Sequence, residues 1–175
     1  MTERVIACWI GGLSLIALTI AMHAIGLVQI TLLLQRLLRW MDAAQLEPRS
    51  IVWMARLTLA ATGAALALLH AAEAAIWALT FYWIGAIPTM ADSLLYSIDS
   101  MATRGSSGLV LAEEWRLMGA LEASDGMLLF GISTAFLFTV MLRLWAMLTG
   151  GALAAVTPAG EAAKADPGHI DSRPR

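Results

Sequence analysis

Hydrophobic and polar positions along the chain sort into three long apolar runs separated by charged breaks. No Asp, Glu, Lys or Arg occurs from residue 5 to 35. A bilayer core is about 30 Å thick and takes roughly 20 helical residues to cross. The run therefore predicts a first membrane span, with His23 inside it. The stretch "RLLRWMDAAQLEPRS" then interrupts with charge and a proline. A second run predicts a span from about residue 57 to 84, broken only by His70 and Glu73 and closed by "GAIP". A third, over residues 120–145, carries Glu122 and Asp125 near its start.

Between the second and third runs the pattern changes. The segment "PTMADSLLYSIDSM", residues 88–101, has apolar residues at 90, 94, 95, 98 and 101, a helical spacing. Pro88 suits a first helical turn. The segment is too short to cross a bilayer, and the polar island "SMATRGSSGL" follows it. A short helix followed by a Gly/Ser-rich turn is the pattern of a re-entrant segment. Irregular backbone at membrane depth persists only where it is buried in protein or lines water. No internal repeat is visible. Residues 151–175 are small, polar and proline-bearing, the composition of a disordered tail.

Composition agrees with a membrane protein: 59% of residues are hydrophobic and 14% charged, against about 25% charged in soluble domains. The surrounding partner is therefore membrane lipid. A net charge of −2 gives no reason to expect nucleic acid. The single cysteine, Cys8, excludes an intrachain disulfide. "VIAC" has the look of a lipoprotein cleavage box but lacks the apolar signal core that precedes one. Arginines crowd the loop between the first two spans and recur in the tail, whereas residues 88–125 are rich in acids. The positive-inside rule then places the amino terminus outside the plasma (inner) membrane and the tail in the cytoplasm. The expected organisation is an N-terminal helix and cytoplasmic loop (1–56), a membrane module (57–150) and the tail (151–175).

Few residues offer chemistry. His70 and Glu73 share a helix face at a spacing of three, and an acid at mid-span costs about 2.5–3.5 kcal/mol on insertion scales. They must face protein or water, either as a proton or ion relay or as a hydrogen-bonded pair that fixes packing, with Glu122 as a candidate partner. His23 reads as a packing histidine. One His–Glu pair is too small a donor set for a zinc site, so no metal is expected. "GSSG", residues 105–108, fits the G-x-S-G form of an intramembrane serine protease, with Ser107 as nucleophile and His70 as base, but three spans are too few for that bundle.

A pore loop fits better. Potassium channels place a T-x-G-Y-G loop after a short helix, with carbonyls aimed at the ion, and "TRGSS" keeps the Thr and first Gly. The flanks "EEWRLMGALEASDGMLLFGISTAFLF" and "HAAEAAIWALTFYWIGAIPTMADSLLYS" resemble the third span, and the second span with pore helix, of small bacterial proteins of the two-pore-domain-like potassium channel family. The resemblance covers about residues 57–142. It implies an all-α pore-loop fold of outer helix, pore helix, filter and inner helix with one extra helix in front, three spans in all, assembled as a homotetramer around a monovalent ion. It implies no enzyme activity, catalytic residue, cofactor or small-molecule substrate.

Laid over that family's filter, Ala102 and Thr103 take the two threonines, Arg104 the aliphatic position, and Gly105 the first glycine. Ser106 takes the tyrosine, Ser107 the second glycine and Gly108 the aspartate. The changes at 104, 106 and 108 imply altered selectivity. In the family the aliphatic side chain points behind the filter, so Arg104 needs an acid there: Asp99 on the pore helix first, Glu122 second. The inner helix, residues 126–142, would line the pore, with Gly126 and Gly131 letting it bend or pack closely. The alternatives are a non-conducting scaffold or regulatory subunit of the same shape and, more distantly, the protease.

Overall fold

The computed structural model describes residues 2–44, 47–105 and 108–149. Every regular element among them is helical: α1 (Thr2–Ala43), α2 (Pro48–Trp83), α3 (Met90–Met101), a single 3₁₀ turn (Glu113–Trp115) and α4 (Arg116–Leu148). α1, α2 and α4 are each long and apolar enough to cross a membrane, three such helices among the described residues, so the chain is a multi-pass membrane protein. Ser106, Ser107 and the tail expected to be disordered lie outside the described residues, as does the nucleophile of the protease motif.

Two helix ends differ from the expectation. α1 runs on through Arg36 and Arg39 to Ala43, and α2 begins at Pro48 instead of near 57, with Glu47 as its N-cap residue. Charge ends a hydrophobic run but not a helix, since arginine is a good helix former. Proline ends α1 only by starting α2, at the first-turn position where its missing N–H is not needed. Pro88 is the reverse case. It lies outside α3, whose N-cap is Thr89, and the Thr89 hydroxyl accepts from the Asp92 backbone N–H at 3.1 Å.

The three spans bury seams of heptad-like spacing: Cys8, Gly12, Thr19 and His23 on α1, and Glu122, Gly126, Leu129, Ser133, Val140 and Leu144 on α4. Such a repeat keeps one stripe facing a partner helix along its whole length. The interior is apolar at its two ends. One cluster gathers Cys8, Trp77, Phe81 and Met118, the other Leu38, Met41, Ala55, Val140 and Leu144. Between them sit Thr19, His23, Glu73, Asp125 and Ser133, all buried. Outward faces are mostly apolar, with Leu68, Phe130 and Ile25 among the most exposed residues. Cys8 is buried, its thiol donating to the Glu114 carbonyl at 3.2 Å.

Six of the seven tryptophans bracket the spans in pairs: Trp9 and Trp40 on α1, Trp53 and Trp83 on α2, Trp115 and Trp145 at the ends of α4. Each pair is separated by about 45 Å at 1.5 Å per residue, the thickness of a bilayer with its interfacial zones. All are exposed except the half-buried Trp115. Trp and Tyr favour that depth because an apolar ring and a polar N–H or O–H both find their solvent there. Arg56 lies 5.4 Å over the Trp53 ring at one such end.

α3 packs on α2 and α4. Its orientation is inverted relative to a helix in water. Ser93, Ser97 and Asp99 are buried, while Leu94, Leu95 and Ile98 face outward. Small polar residues suit close helix packing in a membrane, where the outer face needs no polarity.

Candidate functional site

Two polar sites occupy the interior. The larger brings together three helices. His23 Nδ1 lies 2.7 Å from Glu73 Oε1, and His70 Nδ1 lies 3.1 Å from Glu73 Oε2. The other nitrogens of both rings converge on one hydroxyl: Ser133 Oγ is 3.1 Å from His23 Nε2 and 3.0 Å from His70 Nε2. The ring centroids are 5.2 Å apart. Glu73, His23 and Ser133 are buried, while the His70 side chain keeps 27% exposure. The His70–Glu73 contact is close but poorly aligned, since Oε2 has no hydrogen-bond partner by angle. Next to this ring, Asp125 Oδ2 accepts from the Thr19 hydroxyl at 2.7 Å and from the Trp77 indole N–H at 3.0 Å.

His70 and Glu73 thus find their partners in His23 and Ser133, and the Glu122 carboxylate forms part of a different site. The local reasons are simple. Thr19 and His23 are one turn apart on α1, and His70, Glu73 and Trp77 follow one stripe of α2, so each helix delivers its polar groups to one depth. Sequence reasoning took His23 for an isolated packing residue and passed over Ser133. The readable signal was the set of buried-face spacings, which puts Thr19 and His23 on the same stripe as Cys8 and Gly12.

His23, His70 and Glu73 are the metal-ligating types that cluster among the described residues, with donor atoms within 4.8 Å of one another. Ligands on a tetrahedral zinc at 2.0–2.2 Å stand about 3.4 Å apart, whereas the Glu73 oxygens lie 2.7 and 3.1 Å from the imidazole nitrogens. Those are hydrogen-bond distances.

The second site is the seam between α3 and α4. Both Glu122 oxygens are buried without a hydrogen-bond partner among the described residues, and so are the Ser93 and Ser97 hydroxyls. Ser97 and Ser100 are the hydroxyls that lie toward this carboxylate. Ser100 donates weakly to the Gly119 carbonyl at 3.4 Å. Gly126 lets α4 approach: a Cβ there would stand 2.5 Å from the Met101 carbonyl oxygen. Gly131 has open space where its Cβ would be.

The loop begins at this seam. The Thr103 and Arg104 backbone N–H groups donate to the Ser100 and Asp99 carbonyls at 2.9 Å each. This pairing, with a left-handed residue after the helix end, is a Schellman cap. The left-handed residue is Thr103, at φ +54°, where glycine is usual. α2 ends with the same bonds and has glycine there, Gly85 at φ +71°. Gly105 and Gly108 are also left-handed. Arg104 Nε reaches 3.4 Å from Asp99 Oδ1, with the arginine side chain 71% exposed and the aspartate buried. Ala102 forms part of the wall of a cleft of about 370 Å³ with His70, Met101, Gly126 and Phe130. No family model, curated protein or solved structure matches the chain.

Proposed function

We propose that the chain is one subunit of a pore-loop ion channel homologue with altered selectivity for a monovalent ion. In this reading it is a homotetramer in the plasma membrane, with the loop between α1 and α2 in the cytoplasm. Ala102 to Gly108 form the constriction and α4 lines the inner pore. One observation carries the reading. α3 turns leucines outward and buries serines, which is stable only at membrane depth against lipid or a neighbouring copy, and yet its 12 residues are too few to cross. The strained cap that follows supports it, because backbone held in a sparsely populated conformation collects at functional sites.

Arg104 favours a second reading, a non-conducting scaffold or regulatory subunit. Four exposed guanidinium groups around an axis oppose cation entry. The test is flux through purified, full-length protein in liposomes, with potassium, sodium and chloride in turn, after native mass spectrometry has counted the copies. Tetramers passing one of the three ions faster than empty vesicles, with a changed ion preference in Arg104→Leu, are the expected result. Tetramers passing none assign the scaffold. A monomer removes both the pore and its axis.

A further inference from the structure

The ring of His23, Glu73, His70 and Ser133 closes on itself, and its donors and acceptors can be counted. An ionised Glu73 only accepts, and with Glu73 ionised the matched arrangement turns an Nδ1–H of each histidine toward it. Both Nε2 atoms then face the one Ser133 hydroxyl. That hydroxyl has a single hydrogen. With two neutral imidazoles it satisfies one Nε2 and leaves the other lone pair facing oxygen. With two imidazolium rings it accepts twice and its own hydrogen has no acceptor. With one imidazolium both Nε2 atoms are matched: one Nε2–H donates to Ser133 Oγ, and Ser133 Oγ–H donates to the other Nε2, while the His70–Glu73 side of the ring stays a close contact of poor alignment. The same count sets one imidazolium against the Glu73 carboxylate within the ring, beside the buried Asp125. In a low-dielectric interior an unmatched polar group or a net charge is the costly alternative.

We propose that this ring is a proton-binding site that holds one exchangeable proton shared between His23 and His70. Passing the proton through Ser133 moves the Oγ hydrogen to one Nε2 as the other Nε2 gives its own to Oγ, so the two states have the same bonds and differ only in which ring is charged. His70 is the exit, because it alone of the four is part-exposed and borders the cleft beneath Ala102. The surrounding charges are few. On α1 the ring meets Thr19 and His23, and on α2 His70 and Glu73. From α4 come Asp125, already bonded to Thr19 and Trp77, and Glu122 at the α3 seam. The α3 residues lining the cleft, Ile98 and Met101, do not titrate. The inference stands on the ring and holds whether or not the loop conducts.

The test is nitrogen NMR of histidine-labelled, full-length protein in nanodiscs near neutral pH, with His169→Asn removing the third histidine. The expected spectrum has one imidazolium per two rings, as separate signals or as one exchange-averaged pair. Glu73→Gln is expected to take that count from one to zero, and Ser133→Ala to end any averaging. Two neutral rings, two imidazolium rings, or nitrogen shifts of metal ligation with bound metal in stoichiometric amount overturn the proposal. The count in the unmodified ring decides the matter even where a variant fails to fold.

Discussion

A single residue, Thr103, sits where the geometry of a helix end asks for glycine. A non-glycine residue in the left-handed region costs about 1–2 kcal/mol, and glycine returns part of that as chain entropy, about 0.5–1 kcal/mol. Thr103→Gly is therefore expected to stabilise the protein by up to about 1 kcal/mol. The measurement is unfolding of reconstituted protein by a denaturing detergent. An unchanged or lower midpoint would show that the threonine side chain is held there by contacts stronger than the strain. The same residue marks what sequence reading reaches. Thr103 is visible as a loop residue by composition, and α3 ends at Met101 as the segment 88–101 predicts, but the left-handed backbone that follows comes from the hydrogen bonds of the cap, which no residue type announces.

At the scale of elements, α3 and α4 meet through Gly126. Alanine there puts a methyl group 2.5 Å from rigid backbone of Met101, and overpacking of this kind costs about 1–3 kcal/mol. Gly131→Ala meets nothing within 4 Å and gains helix propensity of up to about 1 kcal/mol. Gly126→Ala should thus lower, and Gly131→Ala hold or raise, the midpoint for loss of helical signal. Equal shifts would mean that α4 bends at both glycines instead of packing at one. The spans themselves were legible, because length and apolarity are properties of a segment alone. Their ends at Ala43 and Pro48 were not, since arginine interrupts hydropathy without interrupting hydrogen bonding. The link from His23 to Glu73 joins residues 50 apart, and only the packing of α1 on α2 creates it.

For the whole molecule, the paired tryptophans define a depth scale. Leu68 falls midway between Trp53 and Trp83 and is 72% exposed. A charge at that depth costs about 2.5–3.5 kcal/mol on insertion scales. Leu68→Arg should therefore reduce the membrane-integrated fraction sharply, while Leu57→Arg, equally outward-facing but near the Trp53 end, should be tolerated. Fractionation of membranes from cells making each variant measures this. Equal yields would displace the bilayer from the tryptophan belts.

The buried ring has a consequence for how the protein is made. Its four side chains come from three spans that leave the ribosome in order. α1 enters the bilayer with His23 unmatched. α2 brings Glu73 and His70 and settles part of that debt, but both Nε2 atoms still lack a partner until the turn of α4 that carries Ser133 arrives. Chains truncated before that point should leave these polar groups open in hydrocarbon, where an unmatched group is costly. Closure of the ring therefore needs residues from all three spans at once.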